Sequence, residues 1–132
     1  PLSVNGQAAY GIAGTATPAE AIAEIDGNRT LLAEYGVDSR WFRSGTAHYD
    51  DVAVDIARER GVTIAGFSVN ADVGATAAAD HVASAIMHAP DGAIVLAHMN
   101  HPTSGTGPGV RRALERLRDD AVRFTFLDGS WP

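Results

Sequence analysis

The chain has 132 residues, the length of one ordinary domain, and its 45% hydrophobic and 20% charged residues exclude a disordered polymer. The formal net charge is −6 and all ten cations are arginine, which excludes a basic nucleic-acid stripe, a catalytic or Schiff-base lysine and a Walker-type phosphate lysine. With no cysteine there is no disulfide, thiolate metal site or cysteine nucleophile, and no apolar run approaches the roughly 18 residues of a membrane span.

Thr17-Pro18-Ala19-Glu20 reads as a helix start: a capping threonine, a proline at the first helical position and a glutamate at the capping-box position. Ile22, Ile25 and Leu32 follow at helical spacing until Tyr35-Gly36, a glycine stop. Arg40-Trp41-Phe42-Arg43 is a short strand, broken by Ser44-Gly45-Thr46. A second helix runs from Asp50 to Arg60 with Val52, Ile56 and Ala57 on one face and Gly61 as its stop. Residues 62–69 are β-branched and apolar, as in a strand buried on both faces. A third helix, 78–88, turns Val82, Ala85 and Ile86 inward, and Pro90-Asp91-Gly92 makes a turn. Residues 93–97 form a buried strand, a Gly/Ser/Thr-rich loop follows to Gly109, and a fourth helix spans 110–118. Residues 122–127 are the last strand, ending at Asp128.

Strands that alternate with helices pair in parallel through βαβ crossovers. Arg43, Asn70, His98 and Asp128 close the four strands at intervals near the roughly 30 residues of one barrel unit. The fold class is therefore α/β, built from parallel βα repeats.

In such folds the carboxyl ends of the strands carry the chemistry. Arg43, Asn70, Asp72, His98 and His101 are candidates by position. His98 directly follows a buried strand, where an imidazole serves as a general acid or base; the structural alternative is a histidine bonded to a backbone carbonyl. Arg43 can orient a carboxylate or anionic oxygen, or form an ion pair with Asp50, Asp51 or Asp72. Asp72 either pairs with Arg43 or serves as a turn residue beside Asn70 and Gly74. His98-x-x-His101 has metal-ligand spacing, but Pro102 and the strand exit make this segment a loop without a third ligand, so no metal site is expected within the chain. His48, His81 and His88 are expected in solvent. Ser104-Gly105-Thr106-Gly107-Pro108-Gly109 precedes a helix and suits a phosphate, yet it lacks a cation and is equally a connector. No Gly-x-Ser-x-Gly elbow is present.

Residues 41–50 (Trp41-Phe42-Arg43-Ser44-Gly45-Thr46-Ala47-His48-Tyr49-Asp50), 66–76 and 94–102 resemble the polysaccharide deacetylase family, which removes acetyl groups from chitin-, peptidoglycan- or xylan-like sugars. The resemblance implies the C-terminal part of a distorted (β/α)7 barrel. It makes Arg43 the arginine that holds the catalytic base, and it makes the Thr46 N–H an oxyanion donor where the family's Arg-x-Pro-Tyr reads Arg43-Ser44-Gly45-Thr46. Asp72 is then the acid of the fourth motif, which here lacks its second aspartate and its tryptophan. Leu96-Ala97-His98 is the intact Leu-x-His motif, with His98 as the general acid. Trp41, Leu96 and His101 fall to substrate binding. The family's Thr-Phe-Asp-Asp-Gly and His-Ser/Thr-x-x-His-Pro motifs, which hold the base and the zinc ligands, do not occur in the chain. The resemblance places them upstream of Pro1, in an N-terminal half of the same domain. It implies zinc, an acetylated polysaccharide substrate and an extracytoplasmic or secreted location.

On this reading residues 1–132 are the C-terminal half of one domain, inactive alone. Two further readings stand beside it. One is a non-catalytic carbohydrate-binding domain, with Trp41 and Tyr49 stacking on sugars and Phe67 in the core. The other is a small doubly wound domain that binds an anion at the Gly-rich loop.

Overall fold

The computed structural model describes residues 1–127 and divides the chain into two compact units, Pro1–Gly66 and Phe67–Pro132. Each contains a parallel strand pair joined through a helix.

In the first unit, α1 (Pro18–Glu34) begins at the expected cap. The Glu20 N–H donates to Thr17 Oγ1 at 3.2 Å, and the Ala16 N–H donates to Glu20 Oε2 at 2.7 Å. It ends where Gly36, at φ +73°, lets the Val37 N–H turn back onto the Leu32 carbonyl at 3.0 Å. The strand β1 (Trp41–Phe42) leads through α2 (Asp51–Glu59) to β2 (Thr63–Ile64), which pairs with β1 in parallel, Trp41 opposite Thr63. Asp50 serves two segments. Its Oδ1 caps α2 by accepting from the Ala53 N–H at 2.8 Å, and its Oδ2 accepts from the Val4 N–H at 2.7 Å. That anchors the N-terminal segment, where Leu2 bridges in parallel to Tyr49. The core gathers Leu2, Ala21, Ile25, Ala53, Ile56, Ala57 and Val62.

In the second unit, β3 (Val69–Asn70) leads through α3 (Ala79–Met87) to β4 (Val95–Leu96), again in parallel, with Val69 opposite Val95 and Asn70 opposite Leu96. The last helix, α4 (Thr106–Asp119), packs on α3 around Ala71, Val82, Ala83, Ile86, Ala113 and Leu117. Two glycines set how closely the helices approach. A Cβ on Gly109 would lie 2.5 Å from the Val82 Cβ, and one on Gly105 would lie 2.5 Å from the Ala77 carbonyl oxygen.

Four expectations change. The single strand of 62–69 is two, β2 and β3, one in each unit; Gly66 and the exposed Phe67 and Ser68 interrupt the apolar run, so it is not buried on both faces. Phe67, expected in the core, is 39% exposed. The fourth helix starts at Thr106 rather than Val110, because Pro108 falls in the first turn, where its missing N–H costs nothing. Residues 122–127 form no strand: a strand exists only where a neighbour completes its ladder, and among the described residues none pairs with this run, leaving Phe124 and Phe126 more than half exposed. Asp128 lies outside the described residues.

Candidate functional site

The register of the second unit builds the site. Parallel pairing sets Asn70 beside Leu96, so the residues two steps beyond each strand, Asp72 and His98, leave the sheet side by side. The Ala71 N–H continues the ladder to the Leu96 carbonyl at 3.0 Å. The chain then curls through Val73, Gly74 and Ala75, all at positive φ. For β-branched Val73 this conformation is costly, and it persists because the tertiary structure imposes it. The curl folds the Thr76 and Ala77 N–H groups onto the Asp72 carbonyl, both at 3.0 Å, and brings the Ala75 N–H to its carboxylate. Asp72 is thus the turn residue of its two sequence readings, and the partner its carboxylate meets is His98 rather than the Arg43 offered by the other.

The Asp72 side chain is fully buried. Oδ2 accepts from the His98 backbone N–H at 2.7 Å and from Thr106 Oγ1 at 2.9 Å, and Oδ1 meets His98 Nδ1 at 2.8 Å. Burial by itself would raise this carboxyl, but the bonds from the His98 backbone and ring, the Thr106 hydroxyl and the Ala75 N–H outweigh it and lower the value to about 2. Asp72 is therefore ionised near neutral pH and only accepts, so the proton of a neutral His98 ring resides on Nδ1. Nε2 has no hydrogen bond among the described residues, and the side chain is 33% exposed. The arrangement is a half-exposed imidazole of fixed tautomer, held by a buried carboxylate at the carboxyl end of a parallel sheet. Such a group exchanges a proton at Nε2 with whatever lies outside.

Leu96 is half-buried in β4, one residue before Ala97 and two before His98. His101 is exposed on the following loop, where its carbonyl accepts from the Ser104 N–H at 3.0 Å. Among the described residues no three His, Asp or Glu side chains converge as a metal-binding group. His48, His81 and His88 are exposed.

The other candidates belong to the first unit. Arg43 follows β1, and its Nη1 donates to the Gly66 carbonyl at 3.4 Å. It lines an open cleft of about 700 Å³ together with Thr46, Glu20 and Glu24. Thr46 accepts from His48 Nδ1 through its carbonyl at 2.8 Å. Its Oγ1 is shielded from solvent and has no hydrogen-bond partner among the described residues. Trp41 is half-buried in β1, with the Arg40 guanidinium 5.1 Å from its ring centroid. Asp50, offered as a partner for Arg43, instead caps α2.

Thr106 is the residue that sequence reading missed. Its signal was the threonine two residues before Pro108, a helix-start pattern hidden in a run that otherwise reads as a connector.

No family model and no curated protein sequence matches the chain. Among solved structures it is similar to a family 4 carbohydrate esterase from Streptomyces lividans in complex with acetate, with a TM-score of 0.69 at 19% identity. The match covers 78% of this chain and 53% of the esterase, so the chain spans about half that protein's length. The two proteins share a fold over that span: helices and short parallel strands in the arrangement of a carbohydrate esterase.

Proposed function

We propose that the chain is the general-acid half of a carbohydrate deacetylase, a hydrolase that releases acetate from an N- or O-acetylated polysaccharide. The observation that carries the reading is the Asp72–His98 pair at the carboxyl end of the β3–β4 sheet. The fold shared with a carbohydrate esterase and the Leu96-Ala97-His98 motif support it. Protonated at Nε2, the ring delivers a proton to the departing amine or alkoxide, while ionised Asp72 holds Nδ1–H and stabilises the imidazolium before transfer. Arg43 and the Thr46 N–H are proposed to orient the acetyl carbonyl and its developing oxyanion, and Trp41, Leu96 and His101 to contact the sugar.

The described residues do not fit a zinc site. Zinc, the base and the remaining strands of a (β/α)7 barrel are assigned to the N-terminal half of the complete domain. An extracytoplasmic site of action follows from a polymeric cell-wall or secreted substrate. The decisive assay is acetate release from acetylated chito- and xylo-oligosaccharides by the complete domain, with and without His98→Ala. Loss of the general acid lowers turnover by about 10²-fold or more; unchanged turnover refutes the assignment. The 132-residue chain alone, supplied with Zn²⁺, is expected to release no acetate, and turnover by it would refute the placement of the metal ligands outside it.

A further inference from the structure

The Gly-rich run 104–109 leads into α4 and forms its first turn. Its Thr106 hydroxyl meets the buried acid. Thr106 is 7% exposed, and its Oγ1 stands 2.9 Å from Asp72 Oδ2. An ionised carboxylate cannot donate, so the threonine gives its proton to Asp72. That leaves the Thr106 oxygen to accept from Ser104 Oγ at 3.1 Å. The hydroxyl protons therefore pass from Ser104 to Thr106 to Asp72, the Thr106 N–H donates back to Ser104 Oγ at 3.3 Å, and the carboxylate also receives the His98 backbone and ring. Thr106 is not spent on capping: the N-cap is Gly105, and no side chain caps the helix through it. With two donors on Oδ2 the carboxylate cannot rotate, and this aims Oδ1 at the ring. The seat of α4 is equally fixed, because Gly105 and Gly109 allow a contact with α3 that any Cβ would obstruct.

We propose that Thr106 is a positioning residue for His98: seated by the glycine-permitted contact of α4 with α3, its hydroxyl holds the Asp72 carboxylate in the one orientation that keeps Nδ1 protonated and Nε2 turned outward. The catalytic meaning rests on the general-acid reading of His98, but the geometry does not. The ionisable surroundings are few. The first turn of α4 carries no acid, the first-turn acid of α3, Asp80, is 87% exposed and engaged by Arg112, and His101 is exposed on the loop.

The test is NMR on the 132-residue chain, following the Asp72 carboxyl carbon and the His98 ring nitrogens through pH. Thr106→Val is expected to raise the Asp72 titration midpoint by roughly one pH unit, a tenfold change in proton affinity, through loss of a hydrogen bond to a charged acceptor. The His98 Nδ1–H should exchange with water roughly tenfold faster, since its acceptor is no longer held. Thr106→Ser should restore both. A valine variant that leaves both readouts at their original values overturns the proposal. The unmodified chain offers a second measurement, immune to misfolding of any variant. The Thr106 hydroxyl proton and the His98 amide proton converge on one oxygen, so a slowly exchanging hydroxyl resonance with a cross-peak to that amide is expected, and its absence also overturns the proposal. Neither readout uses turnover. Failure of these readouts with His98→Ala still abolishing acetate release would leave the enzymatic reading intact, and the reverse outcome would leave Thr106 as the holder of a non-catalytic pair.

Discussion

Replacing Asp72 by asparagine preserves shape and removes charge, which isolates what the buried carboxylate contributes. Its carboxyl is lowered from an ordinary 3.8 to about 2 by the hydrogen bonds it accepts, and the side chain has no exposed surface. That shift corresponds to roughly 2 kcal/mol of folding stability once the group is ionised in both folded and unfolded states, above about pH 5. The sign follows from the direction of the shift. A carboxyl depressed in the folded state contributes its full stabilisation above the unfolded value and loses it as pH falls through 3.8 toward about 2. Asparagine cannot satisfy all the donors. With its carbonyl oxygen placed where the His98 N–H and the Thr106 hydroxyl converge, its NH₂ faces His98 Nδ1, which must then accept, and the ring proton moves to Nε2. Asp72→Asn is therefore expected to lower the stability of the second unit by about 2–3 kcal/mol at neutral pH, with the gap closing toward about pH 2. Urea titrations followed at the Val82 and Leu117 methyl resonances measure the gap, and ring nitrogen shifts report the tautomer. A gap that stays constant down to about pH 2, or a ring that keeps its proton on Nδ1, would overturn this account of the carboxylate.

Two further outcomes test the packing. Gly109→Ala inserts a methyl 2.5 Å from the Val82 Cβ and 2.7 Å from the Ala79 carbonyl oxygen, and overpacking of this kind is expected to cost about 2 kcal/mol in urea unfolding of the α3–α4 pair. Unaltered stability would mean that the helices separate without penalty. Asp50→Ala removes the cap of α2 and the acceptor of the Val4 N–H together. It should cost about 1–2 kcal/mol and speed amide exchange at both Ala53 and Val4, whereas a change confined to Ala53 would show that the N-terminal segment is held otherwise.

Local chemistry made much of the fold legible. Thr17-Pro18-Ala19-Glu20 announces α1 because a capping hydroxyl, a proline without an N–H and a reciprocating glutamate each satisfy the same helix end. Helices α2 and α3 are legible from apolar spacing, although Val52, read onto the inner face of α2, is exposed and Ala53 is buried in its stead, and the strand exits are legible from the polar residues that follow apolar runs. Strand extent was not legible. Residues 62–69 look like one strand and 122–127 like another, but a strand is a relation between two segments, and composition describes only one of them. The start of α4 was obscured for a related reason: glycine in a helix interior lowers propensity, and here close packing against α3 is what makes it tolerable.

The candidate site divides the same way. By itself the sequence determined that His98 and Asp72 stand at strand ends and that no lysine or cysteine of this chain does chemistry. Only the tertiary structure decided that these two residues meet. The parallel register of β3 and β4 carries residues 26 apart to one spot, where His98 Nδ1 reaches Asp72 Oδ1 at 2.8 Å. Only the tertiary structure brought in Thr106, 34 residues from Asp72, because the seating of α4 on α3 depends on two absent side chains, those of Gly105 and Gly109. Spacing along a chain reports which face or end a residue occupies; which neighbour it finds there depends on register and helix approach, and those arise from pairing and packing between distant segments.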